Sequence, residues 1–144
     1  MLFSKGCTYA IRASLLVTLK EMDENRRFIP IRELSDELNL SFHFLTKIMQ
    51  ILTDARLMES FRGPNGGVGL ARAAKDITLI EIVAAVDGMD LFNQCALGLP
   101  GCGDSTPCPL HDVWAKRRAD LEKMLKKTTL ATLAKELHAG TLRN

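Results

Sequence analysis

Five residues near the middle of the chain, Gly63-Pro64-Asn65-Gly66-Gly67, constrain its fold more than any other stretch. They form a dense turn signal, and the hydrophobic period changes on the way to it. Before the turn, Leu45, Ile48, Met49 and Leu52 recur at i, i+3, i+4 and i+7, the pattern of one helix face. From Leu57 to Arg62 the period drops to two, with Leu57, Glu59 and Phe61 on one side and Met58, Ser60 and Arg62 on the other. Val68-Gly69-Leu70-Ala71 supplies a return strand, so the segment predicts a β-hairpin directly after a helix.

The residues upstream complete a helical unit. Ser4 to about Met22 predicts a first helix that is apolar nearly all round, as expected of one buried on several faces. Pro30 suits the first turn of a short second helix, which carries Leu34 and Leu38 on one face. After the tight Asn39-Leu40 connection, Ser41 is a good N-cap for the third helix. Downstream of the hairpin, Thr78 and Glu81 have capping-box spacing before a helix that stops near Gly88. Residues Asp90 to Pro107 predict an irregular loop rich in Gly, Pro and Cys. A long charged helix is expected from about Pro109 to Lys127, and Thr129 caps a last short helix with Leu130, Leu133 and Leu137.

This order predicts a mainly α fold with a small β-hairpin wing, a winged helix-turn-helix followed by a long C-terminal helix. The expected division is a DNA-binding domain over residues 1–88, a cysteine-rich loop over 89–108, and the terminal helices over 109–144. No apolar run is long enough for a membrane span, and the N-terminus lacks a signal-peptide core, so the expectation is a cytoplasmic protein without membrane contact. No Ser/His/Asp or paired-carboxylate arrangement points to an enzyme.

A net charge of +2 does not by itself argue for nucleic acid, so that reading rests on where the polar residues sit. The second helix of a helix-turn-helix enters the major groove with its first turn, here Ser41, Phe42, His43, Thr46 and Lys47. A plain helical pair with a solvated polar face would carry the same stripe. The hairpin is more specific. Arg62 stands at its base, where it could enter a narrow minor groove, and Gly63, Asn65 and Gly66 at the tip allow close backbone approach. A protein-interaction module is the alternative from another class.

Three of the four cysteines fall in one short stretch, Cys95-x6-Cys102-x5-Cys108-x2-His111. In a reducing compartment this spacing points to metal or redox chemistry rather than a disulfide. With Pro109 next, Cys108 is expected at the N-cap of the long helix, so that its thiolate and the His111 imidazole converge. Three readings stand side by side: an iron–sulfur cluster, which wide glycine-rich spacing suits; a Cys₃His zinc site; and a metal-free thiol switch. Cys7, alone in an apolar helix, reads as buried filler.

With these residues in view, the chain resembles the Rrf-two family of winged-helix regulators, especially its IscR and NsrR branches. The resemblance is carried by Ser4-Lys5-Gly6, the helix-turn-helix ending at Leu57, and Arg62-Gly63-Pro64-Asn65-Gly66-Gly67. It extends through Ile82-Val83-Ala84-Ala85-Val86-Asp87 and the cysteine loop ending Cys108-Pro109-Leu110-His111-Asp112-Val113-Trp114. It implies a homodimer joined through the long helix, near-palindromic double-stranded promoter DNA as partner, and the wing arginine in the minor groove. It also implies an iron–sulfur cluster on Cys95, Cys102 and Cys108 with His111 as fourth ligand. No carboxylate stands at Cys7-Thr8-Tyr9, which favours [2Fe-2S] over [4Fe-4S]. The expectation is a cluster-sensing transcriptional repressor; the alternative is a metal-independent or zinc-stabilised winged-helix regulator that senses thiol oxidation or a metabolite.

Overall fold

The computed structural model describes residues 2–137 and 139–142. The first helix, α1 (Lys5–Glu24), starts where the Ser4 side chain accepts the Cys7 N–H, and it ends at Asn25 in the left-handed region (φ 53°). Its residues from Ala13 through Lys20 are all buried, as its all-round apolar composition requires. Helix α2 (Ile31–Leu38) ends at Asn39, also left-handed (φ 54°), and the chain turns directly into α3 (Phe42–Asp54). The Ser41 hydroxyl accepts the Phe44 N–H at 3.1 Å, a cap worth about 1 kcal/mol.

Strands β1 (Met58–Phe61) and β2 (Gly67–Leu70) form the antiparallel wing, with Met58 opposite Leu70 and Phe61 opposite Gly67. Reciprocal backbone bonds of 2.9 Å between Ile29 and Val68 add a third short edge. A Cβ on Gly66 would run into the Phe61 carbonyl, and one on Gly67 into Ile29. These two glycines are thus required by the protein's own turn.

Thr78 and Glu81 form the expected capping box at the start of α4 (Leu79–Val86). The loop expected from Asp90 instead begins with a helical turn, α5 (Asp90–Asn93), because Phe92 buries against Cys7, Ile80, Val83 and Leu125. The long helix α6 runs from His111 to Lys127, and α7 from Leu130 to Ala134. The α6 start corrects the expected cap: Leu110, not Cys108, occupies the N-cap position. Cys108, Pro109 and Leu110 make a separate turn, closed by His111 N–H donating to the Cys108 carbonyl at 2.9 Å. The Cys108 thiol is thereby free to face its fellow cysteines instead of the helix end.

The main core joins α1, α2, α3, the wing and α7, with Leu16, Leu34, Leu38, Leu45, Met49, Leu52, Leu70 and Leu130 all but inaccessible. Where α6 ends, Leu79 N–H donates to the Thr128 carbonyl and Leu130 N–H to the Ile77 carbonyl, so the far end of the long helix is stitched to α4. No helix among the described residues is long and apolar enough to cross a membrane.

Candidate functional site

The cysteine loop is a series of tight turns. Gly98 N–H donates to Cys95, Cys102 N–H to Leu99, and Thr106 N–H to Gly103, each to the carbonyl three residues back. Gly98 and Gly101 take φ values of +64° and +70°, which L side chains rarely adopt. These reversals bring the Cys95, Cys102 and Cys108 sulfurs within 4.8 Å of one another, with Cys95 and Cys108 at 3.7 Å. A cavity of about 190 Å³ opens beside them and is also lined by His111, Trp114 and Arg118.

The electrostatics favour a thiolate donor. Backbone N–H groups of Leu99 and Leu97 stabilise the Cys95 thiolate and hold its pKa at about 7. For Cys102, the Cys108 N–H pulls downward, but desolvation and the neighbouring Cys108 and Cys95 thiols outweigh it, leaving the pKa above the usual value. Three thiols this close repel one another as thiolates, a cost that a cation among them removes. His111 joins the group through Cys102 rather than through Cys108: its Nδ1 lies 3.8 Å from the Cys102 sulfur. Its Nε2 faces the Asp104 carboxylate at 3.0 Å. Three converging thiols with an adjacent imidazole fit a thiophilic metal or an iron–sulfur cluster.

Cys7 does not join them. It is fully buried, and desolvation together with the neighbouring Asp87 carboxylate pushes its pKa up to about 12. Asp87 also accepts from the Ser4 N–H (2.8 Å) and the Ser4 hydroxyl, which locks the start of α1 to the end of α4. A neutral buried thiol is packing, as the sequence reading holds.

Besides the His111 contacts, the loop is tied to α6 at the Gln94 carbonyl. Gln94, next to Cys95, accepts from Trp114 Nε1 at 2.9 Å and from Arg118 at 2.7 Å. From the sequence, Trp114 stands only as part of the family motif and Arg118 has no assigned role. Their i, i+4 spacing on one helix face was the available signal, but nothing marked the carbonyl they share.

The residues read as DNA contacts lie at two places on the winged helix-turn-helix. At the start of α3, Ser41, His43 and Lys47 are exposed, while Phe42 and Thr46 are half-buried. Thr46 donates back to the Phe42 carbonyl at 2.7 Å, and Phe42 carries the Arg32 guanidinium 4.4 Å over its ring. Arg32 thus adds a cation beside the α3 N-terminus that sequence reasoning missed. At the wing, Arg62, Gly63 and Asn65 are exposed and Gly66 is half-buried. The wing is stiffened by Phe28 stacked on Phe61 at 5.3 Å and by the Arg27–Glu59 ion pair.

The sequence profile of the Rrf2 family, described as an iron-dependent transcriptional regulator, matches residues 3–136. The chain belongs to the Rrf2 family. It is 32% identical over 135 residues to the HTH-type transcriptional regulator IscR of Vibrio atlanticus, covering 94% of this chain and 75% of that protein. Its identity to IscR of Yersinia pestis is 31% over 132 residues, covering 92% and 77%. In fold it is similar to CymR, the global cysteine regulator of B. subtilis (TM-score 0.80, 23% identity, covering 94% and 98%). It is likewise similar to T. potens IscR (TM-score 0.71, 24% identity, covering 92% and 85%). The chain is therefore an Rrf2-family, IscR-like DNA-binding transcriptional regulator and not an enzyme.

Proposed function

We propose that this regulator senses its conditions through an iron–sulfur cluster held by Cys95, Cys102, Cys108 and His111. It acts as a homodimer that represses near-palindromic promoters. The observation that carries the reading is the convergence of three sulfurs, with the His111 Nδ1 3.8 Å from one of them. A donor set of three cysteines and an imidazole, with no carboxylate at Cys7-Thr8-Tyr9, matches the IscR branch and favours [2Fe-2S] over [4Fe-4S]. When bound, the cluster supplies iron whose oxidation state and ligation respond to iron supply and oxidants.

The protein's own residues supply the rest. Cys95 and Cys102 fix the two ends of one run of turns, and Cys108 fixes the approach to α6. Gln94 carries this order to Trp114 and Arg118 on α6. Val113 and Met124, 62% and 53% exposed, lie about three turns apart on one face of α6 and suit a self-complementary helix contact in a homodimer. A shift of α6 in that contact changes the separation of the two α3 helices. Half-sites on DNA repeat at roughly 34 Å, so a small change alters affinity. On each half-site Ser41, Phe42, His43, Thr46 and Lys47 meet the major groove, and Arg62, Gly63, Asn65 and Gly66 meet the minor groove.

The test is binding to a near-palindromic promoter duplex by protein purified without air, before and after removal of iron. The expected outcome is salt-sensitive binding whose affinity differs at least tenfold between the two forms, ~1.4 kcal/mol. Equal affinity in both forms contradicts cluster sensing. A second reading has one observation in its favour: Cys95, with a pKa of about 7, sits 3.7 Å from Cys108, which suits a metal-free thiol switch. That reading expects colourless protein whose DNA affinity follows peroxide and dithiol treatment.

A further inference from the structure

We propose that Asp104 is a positioning residue for the metal centre. Its carboxylate holds the His111 ring through Nε2, so that Nδ1 is the nitrogen presented to the metal. The inference rests on His111 being a ligand, as proposed above, and adds which nitrogen binds and what fixes it.

The two ring nitrogens of His111 face different surroundings. Nδ1 points to the Cys102 sulfur at 3.8 Å, and Nε2 meets Asp104 Oδ1 at 3.0 Å. The His111 side chain is 15% exposed, while that of Asp104 is fully exposed. The imidazole therefore lies between a solvent-facing carboxylate and the sulfur group. An Nε2–H donated to the carboxylate leaves the Nδ1 lone pair directed at the sulfurs, the form a metal ligand needs.

Both partners are held from behind. The His111 backbone N–H is bonded to the Cys108 carbonyl, which sets the base of its side chain on the first turn of α6. Asp104 lies inside a turn closed twice, by Thr106 N–H to the Gly103 carbonyl at 3.2 Å and by Thr106 Oγ1 to the Gly101 carbonyl at 2.6 Å. A merely solvated His–Asp pair is worth little and does not require the opposite nitrogen to face a thiol. Here one turn supplies the carboxylate, and Cys102, two residues before it, supplies the sulfur on the other side of the ring.

The test uses the full chain loaded with cluster without air, as wild type, Asp104→Asn, Asp104→Glu and His111→Ala. The readouts are the electron paramagnetic resonance spectrum of the reduced protein, the one-electron reduction potential, iron release to a ferrous chelator, and thermal unfolding. Loss of the carboxylate weakens the imidazole as a donor. Asp104→Asn is expected to speed iron release about tenfold. It should also raise the potential enough to change the reduced-to-oxidised ratio about tenfold at fixed poise, ~59 mV for one electron. The spectrum should change, unfolding should stay as in wild type, and Asp104→Glu should restore most of the difference. If His111→Ala alters spectrum and potential but Asp104→Asn alters neither, the positioning role is overturned while His111 stands as ligand. If His111→Ala itself leaves the spectrum unchanged, both fall.

Discussion

Along α2 and α3 the apolar side chains Leu34, Leu38, Leu45, Ile48, Met49 and Leu52 are at most 3% exposed, and each helix is closed by a defined cap or left-handed turn. Between Gln94 and Leu110 no side chain is buried, and backbone bonds such as Gly98 to Cys95, Cys102 to Leu99 and Thr106 to Gly103 close short-range turns. The first region is held by the core, independently of anything bound. The second has little apolar area to hold it, and its sulfurs approach one another only because consecutive turns place them there. A loop of this kind sits at the low-stability end of a fold, where a bound group has the most order to add. The proposed function divides along this contrast: the helical unit would read DNA, and the cysteine loop would take its shape from what its sulfurs hold.

The largest effect that could break this contrast is expected from Cys108→Ala. It should abolish cluster incorporation, read as loss of iron, sulfide and visible absorption, while thermal unfolding of the purified metal-free chain stays within a few degrees of wild type. A collapse of the helical unit in that variant would mean that the loop is part of the core.

The reverse experiment is Leu52→Ala, which empties a fully buried site between α3 and its neighbours. It should cost about 2–5 kcal/mol in denaturant unfolding. At temperatures where the variant remains folded, the cluster content of protein loaded without air should be unchanged.

An acid titration probes the same unit through charge. Lys20, buried on α1, meets Glu33 at 3.0 Å and Glu37 at 2.6 Å on α2, and Arg26 meets Glu33 at 2.6 Å. The Arg26 hydrogen bond, with help from Lys20, outweighs desolvation and lowers the Glu33 pKa to about 2. A depressed carboxylate stabilises the fold above its unfolded value, and the gain is lost as pH falls from about 4.5 to about 2. Allowing for partial exposure, roughly 1–2 kcal/mol should disappear across that window, and Glu33→Gln should flatten it.

A comparable effect is expected on DNA. Arg62→Ala removes an exposed wing cation and should weaken promoter binding about tenfold, ~1.4 kcal/mol. The salt dependence should become shallower, and unfolding should not change. The smallest effect sharpens the link between the two regions: Trp114→Phe deletes one hydrogen bond to Gln94, worth about 0.5–1.5 kcal/mol. It should leave cluster content intact and narrow the affinity difference between loaded and iron-free protein.

The same contrast explains what could be read in advance. The wing, the α3 stripe, the Ser41 cap and the Thr78–Glu81 box announce themselves through period and spacing, because helix and strand geometry is imposed by the backbone. The three cysteines were legible as a group for their type alone. Their arrangement was not. Cys108 looked like a helix cap because Pro109 follows it, yet the helix begins only after one more turn, and His111 turned toward Cys102 instead. Asp104 is exposed and aperiodic, so no pattern marked it. The wing glycines were read as room for DNA, whereas Gly66 and Gly67 first make room for Phe61 and Ile29. Turn-built loops carry their information in backbone angles that side-chain patterns do not record.

Whether the cysteine loop holds an iron–sulfur cluster with one imidazole ligand is decided by Mössbauer spectroscopy of protein loaded with ⁵⁷Fe without air. Two inequivalent iron sites of equal area are expected in the oxidised state, one with sulfur ligands alone and one with His111. Replacing His111 with Cys should make them equivalent. A single mononuclear site, or protein that takes up zinc in place of iron and sulfide, would contradict it.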